Sequence, residues 1–241
     1  MTSKLVVWDV DGTLVDSRRS IFESMQAAFA AAALPPPTYE AARQVVGLGL
    51  LEGVASLLPE AAPEVWERVA DGYRAAFGAQ VRQPGHIEPL YDGAAETLDR
   101  LRAGGWKIAM ATGKSRRGVE TIMRMHSWAD LFDSTHCADD GPGKPHPAMV
   151  LEAMKALQVG PERTIVVGDT AHDMRMAKAA GAYAQGVSWG FHTAEEVLEG
   201  GADHIAHDFA ELNRQLDAFA RRLPSPSRGE GVRFCVRGKE P

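Results

Sequence analysis

The sequence predicts an α/β fold in which a doubly wound parallel sheet carries an inserted all-helical segment. Short, nearly continuous apolar runs of strand length alternate with longer amphipathic segments that have helical spacing. Such alternation is typical of a parallel sheet covered by helices on both faces. One long stretch near the N-terminus departs from it, because that stretch contains helical patterns and no strand pattern. We expect it to form a separate helical unit.

Four apolar runs are predicted to be strands, at residues 5–8, 106–111, 164–167 and 182–187. A Gly, Ser, Thr or Asp follows each of them, as expected where a buried strand ends in a loop. Amphipathic patterns predict core helices at residues 94–102, 116–125, 148–157 and 171–180. The first predicted strand is thus widely separated from the second along the chain.

The stretch between these two strands, residues 17–88, is predicted to be an all-helical cap domain. Its helical patterns lie at residues 20–33, 39–46, 50–58 and 64–79. Pro89 and Gly93 mark the point where the strand and helix alternation resumes, so residues 1–16 and 89–223 are predicted to form the core domain. Residues 224–241 lack hydrophobic periodicity, and we expect a disordered tail there.

The composition is that of an ordinary globular protein, with 45% hydrophobic and 24% charged residues in a chain of 241. A net charge of -6 repels phosphate backbones and anionic lipid, which argues against nucleic acid and membranes as partners. No apolar run is long enough to span a bilayer, and the N-terminal segment has no signal-peptide pattern. We therefore expect a cytoplasmic protein, with a homodimer as an open alternative to a monomer.

Two carboxylates follow the first predicted strand in the run Asp9-Val10-Asp11-Gly12-Thr13. Ligands of open parallel sheets bind beyond the carboxyl ends of the strands, and a sharp bend at Gly12 would turn both acids toward one site. Two close carboxylates repel each other, and a divalent cation relieves that repulsion. The alternative is that Asp-Gly-Thr only turns the chain. The position at a strand end favours a functional site.

Two further motifs carry groups that suit a phosphate. Thr112 and Gly113 follow the second predicted strand, where a hydroxyl and free amides at a helix N-terminus can bind a phosphate oxygen. Taken alone, Thr112 is as well explained as a helix cap. Lys144 lies between Gly143 and two prolines, which would hold it in a stiff loop. On its own, this lysine would be interpreted as a solvated surface group.

A second pair of acids follows the third predicted strand. Asp169 comes directly after a glycine, and Asp173 lies four residues later, near the start of the next helix. Both can point into one cleft if the helix begins near Thr170. An acid at this place can also cap the helix or complement its dipole. The pattern leaves a shared site and a purely structural role both open.

These four motifs occur in the order found in the haloacid dehalogenase-like hydrolase superfamily, which the chain resembles from about Lys4 to Leu216. The inserted helices resemble the small cap of the subfamily that includes phosphoglycolate phosphatases and beta-phosphoglucomutases. The resemblance implies that Asp9 attacks phosphorus to form an aspartyl-phosphate, while Asp11 protonates the leaving oxygen and later activates water. It also implies that the cap closes over the core site and excludes water.

The resemblance implies roles for the other motif residues as well. Thr112 would contact the phosphate, and Lys144 would balance the charge of nucleophile and phosphate. Mg²⁺ would be the cofactor, because carboxylate oxygens are the ligands that it prefers. The implied metal ligands are Asp9, Asp11, Asp169 and Asp173.

The expected activity is Mg²⁺-dependent hydrolysis of a small phosphorylated metabolite resembling 2-phosphoglycolate. An acid at position 11 separates phosphate-ester chemistry from the dehalogenase relatives, which lack one. Gly113 is expected at the substrate, and Arg43 in the cap could pair with a second anionic group. An ordinary turn at Gly47 and Gly49 beside a solvated Arg43 explains that segment equally well. A phosphomutase of the beta-phosphoglucomutase type and a non-catalytic phosphate-binding module are the alternative functions.

Overall fold

The computed structural model describes residues 3–223, so the predicted tail at 224–241 lies outside the described residues. Six strands form one parallel sheet in this range: β1 (Lys4–Trp8), β2 (Trp106–Ala111), β3 (Ser134–His136), β4 (Thr164–Gly168), β5 (Tyr183–Val187) and β6 (His204–Ala206). Their order across the sheet is β3-β2-β1-β4-β5-β6. The predicted doubly wound parallel sheet is confirmed.

The inserted cap consists of helices that lie between β1 and β2 in the chain. These helices are α1 (Arg18–Ala31), α2 (Tyr39–Gln44), α3 (Leu50–Leu57) and α4 (Pro63–Val81). Phe29, Val54 and Val69 belong to a hydrophobic core of the cap itself. Gly72 lets α4 approach α1 closely, because a Cβ at this position would lie 3.2 Å from the Cα of Ala28. The predicted all-helical cap is confirmed, while its limits at residues 17 and 88 stay a prediction.

The remaining helices cover the two faces of the sheet. They are α5 (Ala94–Ala103), α6 (Arg116–Met125), α7 (Ala148–Leu157), α8 (Ala171–Ala179), α9 (Ala194–Glu199) and α10 (Phe209–Arg222). Val6 and Trp8 of β1 pack with α5, α6 and α10 on one face, whereas Leu5 and Val7 pack with α7, α8 and α9 on the other. A strand buried on both faces has to be apolar throughout, which explains the continuous apolar run of β1.

The sequence patterns do not predict β3, β6, α9 or α10. The two strands lie at the edges of the sheet and have three residues each, with polar side chains such as Ser134 and His204. Edge strands need no apolar run, because one side of the ladder is unpaired and little of the strand is buried. Helix α10 does carry a detectable signal, since its buried residues Phe209, Leu212, Leu216 and Phe219 have helical spacing.

The topology sets where a site can form. β1 lies in the centre of the sheet, between β2 and β4, and the chain crosses from one side of β1 to the other on its way from β3 to β4. The crevice at such a switch point, outside the carboxyl ends of the strands, is where open α/β sheets bind ligands. The loops after β1, β2 and β4 meet there. No helix among residues 3–223 is both long and apolar enough to cross a membrane.

Replacing Gly72 by leucine should destabilise the protein, although leucine favours helices more than glycine does. The added side chain would meet the backbone of α1, and overpacking of this kind costs about 1–3 kcal/mol. Gly78→Leu is the matched control on the same helix, because a Cβ at Gly78 would meet the flexible tip of Arg82 at 3.3 Å. Urea unfolding measures the free energies of unfolding, and equal values for the two variants would contradict the packing role of Gly72.

Candidate active site

Three buried carboxylates meet at the carboxyl ends of β1 and β4. Asp9, Asp169 and Asp173 each place an oxygen within 4.8 Å of the oxygens of the other two. The Asp9 amide donates to the Val167 carbonyl of β4 at 2.9 Å, so the sheet itself positions this residue. A donor set made only of carboxylate oxygens suits Mg²⁺.

Lys144 supplies the positive charge of this cluster. Its ammonium is fully buried, at 2.5 Å from Asp9 Oδ1 and 2.7 Å from Asp173 Oδ1. Burial acts to lower the pKa of Lys144, but the carboxylates of Asp173 and Asp9 raise the pKa above its usual value. Lys144 is therefore a charged group inside the core, and the interpretation as a solvated surface residue is wrong. One ammonium faces three carboxylates, which leaves an excess of negative charge.

Asp169 is held by donors from two loops. Its Oδ1 accepts from the Thr13 hydroxyl at 2.8 Å, and its Oδ2 accepts from the Phe191 amide at 2.7 Å. Gly12 lies against the same carboxylate with a φ of +81°, and a Cβ there would be 2.3 Å from Asp169 Oδ2. Only glycine combines this left-handed conformation with such a close approach. The predicted bend at Gly12 thus brings the first and last motifs together.

The ionisation of the cluster indicates a missing positive charge. Burial, with the nearby Asp173 carboxylate, raises the pKa of Asp169 from 3.8 to about 7. Burial also raises the pKa of Asp9 well above its usual range, despite Lys144, and Asp173 and Asp169 raise it further. A divalent cation among these oxygens would favour the ionised forms of all three. The residues present therefore fit Mg²⁺.

Asp173 also has a structural role. Its Oδ2 accepts from the amide of Thr170 at 3.1 Å and from the hydroxyl of Thr170 at 2.6 Å, which forms a capping box at the start of α8. Its other oxygen is the one that contacts Lys144. One oxygen of Asp173 thus caps the helix and the other lies in the carboxylate cluster, and the use of Asp173 as a metal ligand stays a prediction.

Thr112 and Gly113 lie where β2 ends, beside the cap. The Thr112 amide donates to the His136 carbonyl at 3.1 Å, and the Thr112 hydroxyl accepts from the Lys114 amide at 3.3 Å. A Cβ at Gly113 would lie 2.8 Å from the Leu48 carbonyl of the cap. Thr112 is therefore engaged in the local turn, Gly113 is in close contact with the cap, and their contacts with a phosphate stay predictions.

Asp11 is not part of the three-carboxylate cluster. Its carboxylate pairs instead with the ammonium of Lys114 at 2.8 Å. The geometry therefore does not support the predicted use of this side chain as a carboxylate ligand of the metal. The physical reason is a neighbouring cation that the motifs do not point to. Lys114 directly follows Thr112 and Gly113 in the sequence, and that position was the available signal for it.

Lys114 connects Asp11 with the cap. Its ammonium is 3.7 Å from Glu88, in the segment that leads out of the cap, and 5.3 Å from the centre of the Phe77 ring on α4. Burial acts to lower the pKa of Lys114, but Asp11 and Glu88 raise it overall. Glu88 is another buried residue that the motifs leave out. Lys114, in the loop after β2, therefore contacts both Asp11 of the first motif and Glu88.

Arg43 lies away from the three-carboxylate cluster and fastens the cap to the core. Its guanidinium donates to Glu196 at 2.7 Å and 3.0 Å, to Glu40 at 2.8 Å, and to the Phe191 carbonyl at 3.1 Å. Neither the predicted role in substrate binding nor the solvated alternative describes this buried side chain. Glu196 of α9 supplies the carboxylate that was expected from a substrate. Because Glu196 is far from Arg43 in the chain, this ion pair could not be predicted from the sequence.

A cavity of about 950 Å³ lies between the cap and the core. Asp9, Asp11 and Lys114 line it from the core side, together with Gly113. Elsewhere the cap lies against the core, since His172 Nε2 is 3.0 Å from the Gln44 carbonyl of the cap. A reactant in this cavity would lie between the cap and the carboxylates of Asp9 and Asp11.

Comparison with known proteins gives a consistent result. Residues 3–181 match the family model described as haloacid dehalogenase-like hydrolase. The chain is 34% identical over 237 residues to the protein named Probable phosphatase IndB of Dickeya dadantii, covering 96% of this chain and 99% of that protein. It is 29% identical over 214 residues to phosphoglycolate phosphatase of Vibrio vulnificus, covering 87% of this chain and 94% of that enzyme.

Solved structures have the same fold. CbbY of Rhodobacter sphaeroides, crystallised with xylulose-1,5-bisphosphate, superposes with a TM-score of 0.76 at 27% identity, over 88% of this chain and 96% of that one. A phosphoglycolate phosphatase-like protein of Haemophilus somnus gives a TM-score of 0.79 at 24% identity, over 90% and 99% of the two chains. At 24% identity, the likeness to the Haemophilus somnus protein concerns the fold alone.

The metal-free protein should lose stability as the pH rises from about 4 to about 7. Because the pKa of Asp169 is higher in the folded state, the folded state keeps a proton in this range that the unfolded state has released. The stabilisation is complete below the pKa that Asp169 has in the unfolded state. It is lost as the pH approaches 7, at about 1.4 kcal/mol per pH unit. Chemical unfolding in EDTA measures it, with Asp169→Asn lacking this contribution. If the free energies of unfolding of the wild-type protein and Asp169→Asn had parallel pH profiles, the predicted contribution of Asp169 would be contradicted.

Proposed function

The chain belongs to the haloacid dehalogenase-like hydrolase family and is a phosphatase, and we propose that it hydrolyses a small phosphorylated metabolite through a Mg²⁺-dependent reaction at Asp9. The observation that supports this best is the burial of Lys144 between Asp9 and Asp173 at the switch point of the sheet. The names of the relatives make 2-phosphoglycolate the first substrate to test.

In the first proposed step, a carboxylate oxygen of Asp9 attacks the phosphorus of the ester. The bond from phosphorus to the leaving oxygen breaks, and Asp11 donates a proton to that oxygen, so that an alcohol departs. Lys144 offsets the negative charge of the nucleophile. Mg²⁺, held by Asp9, Asp169 and Asp173, would supply neutralisation of the phosphate oxygens when bound.

In the second proposed step, water attacks the phosphorus of the aspartyl-phosphate. Asp11 accepts a proton from this water, and the bond between phosphorus and the Asp9 oxygen breaks, which releases inorganic phosphate. Thr112 and Gly113 would orient the phosphate oxygens at the end of β2. The ammonium of Lys114 holds the Asp11 side chain beside the cavity.

The purified protein should release phosphate from p-nitrophenyl phosphate with Mg²⁺, and chelation of the metal should abolish the release. Asp9→Asn should lower kcat by at least about a thousandfold, because the amide oxygen cannot act as the nucleophile. Asp130→Asn is the matched control, since Asp130 is exposed on the surface. A malachite green assay measures the phosphate. Activity of Asp9→Asn close to that of the control would refute the assigned nucleophile.

Asp11→Asn should separate the two steps of the reaction. An activated aryl phosphate has a leaving group that needs no proton, so phosphorylation of Asp9 should continue in this variant while hydrolysis of the aspartyl-phosphate slows. The expected result is a burst of aryl alcohol followed by slow turnover, with a phosphorylated protein detected by intact-protein mass spectrometry. Steady turnover at the wild-type rate, with no burst, would count against the role of Asp11 in acid and base catalysis.

A further inference from the structure

We infer that the substrate is a phosphate monoester whose organic part carries an apolar ring and is larger than the two-carbon acid of 2-phosphoglycolate. This inference rests on the proposed phosphatase function and names the substrate class for the same site. It follows from the size of the cavity, from the side chains of its wall and from a glycine on α4.

The cavity is large for a two-carbon substrate. Its volume of about 950 Å³ lies near the upper end of the roughly 300–1,000 Å³ that is usual for pockets binding drug-sized ligands. The phosphate itself would occupy only the part next to Asp9 and Lys114. The rest of the cavity extends under the cap and is available to the organic part of the ester.

The cap presents apolar side chains to this space. The lining residues from the cap include Ile21, Met25, Trp66, Tyr73, Phe77 and Val81. Aromatic and aliphatic walls of this kind bind a ring by burying its apolar surface, and they offer little to a small dianion or trianion. The wall of the cavity therefore matches a ring-bearing organic group.

Two of the buried cations near the cavity are already paired with carboxylates of the protein. Arg43 is occupied by Glu40 and Glu196, and Lys114 is paired with Asp11. Four arginines with exposed side chains also line the cavity, namely Arg74, Arg82, Arg117 and Arg124. The carboxylate of 2-phosphoglycolate, only two bonds from the phosphate ester oxygen, would lie deep in the cavity near the carboxylates of Asp9 and Asp11.

Gly78 leaves space in the cavity because it has no side chain. It lies inside α4, where glycine is about 1 kcal/mol less favourable than alanine, and it lines the cavity. Unlike Gly72, it makes no close backbone contact with another helix, because the contact of its Cβ position is with the tip of Arg82. The missing side chain leaves room in the cavity beside Phe77.

A matched substrate series tests the inference. Ethyl phosphate and 2-phenylethyl phosphate are esters of primary alcohols that differ only by a ring, and uridine 5'-monophosphate and 2-phosphoglycolate complete the series. We expect kcat/KM for 2-phenylethyl phosphate to exceed that for ethyl phosphate by at least about tenfold, since an apolar pocket discriminates by roughly 10–200-fold. A higher kcat/KM for 2-phosphoglycolate than for both ring-bearing esters would overturn the inference.

Two variants locate the ring in the cavity. Gly78→Leu fills the space beside α4, so it should lower kcat/KM for 2-phenylethyl phosphate at least about fivefold more than for ethyl phosphate, mainly through KM. Gly78→Ala, which adds one methyl group, is the matched control and should have a smaller effect. Equal losses on the two substrates would overturn the inference. Absence of phosphate release from all of these esters and from p-nitrophenyl phosphate would instead refute the proposed function itself.

Discussion

The contact on which the site depends is the buried ammonium of Lys144 between Asp9 and Asp173. An unpaired charge in the core would cost several kcal/mol, and these carboxylates are what makes the burial of Lys144 tolerable. The same contact brings three separate segments together, since Asp9 follows β1, Asp173 begins α8, and Lys144 comes from the loop before α7. Because the charges are not balanced, the cluster is suited to a further cation.

The division of work between core and cap follows from the fold. The parallel strands deliver carboxylates to one edge of the sheet, where hydrogen bonds of the ladder and the loops hold them rigidly. The cap has its own small hydrophobic core and presents a largely apolar wall to the space above that edge. Under the proposed function, the core would therefore carry out the chemistry and the cap would select among phosphate esters.

The sequence predicted most of the sheet and the carboxylates of the candidate site, because both leave local signals. Continuous apolar runs mark the central strands, and the acids follow those strands directly, as Asp9 and Asp169 do. The edge strands β3 and β6 are too short and polar to produce a run. The ion pair of Arg43 with Glu196 could not be predicted because the two residues are distant in the chain, whereas the ion pair of Asp11 with Lys114 was missed although Lys114 directly follows Thr112 and Gly113.

The backbone of Phe191 connects the cap to Asp169, because its carbonyl accepts a hydrogen bond from Arg43 of the cap while its amide donates one to Asp169. A rotation of the cap that withdraws Arg43 would pull on the residue that orients Asp169. The position of the cap and the geometry of the carboxylate cluster are thereby linked through one amino acid. A displaced cap would therefore leave Asp169 less well oriented toward the proposed metal.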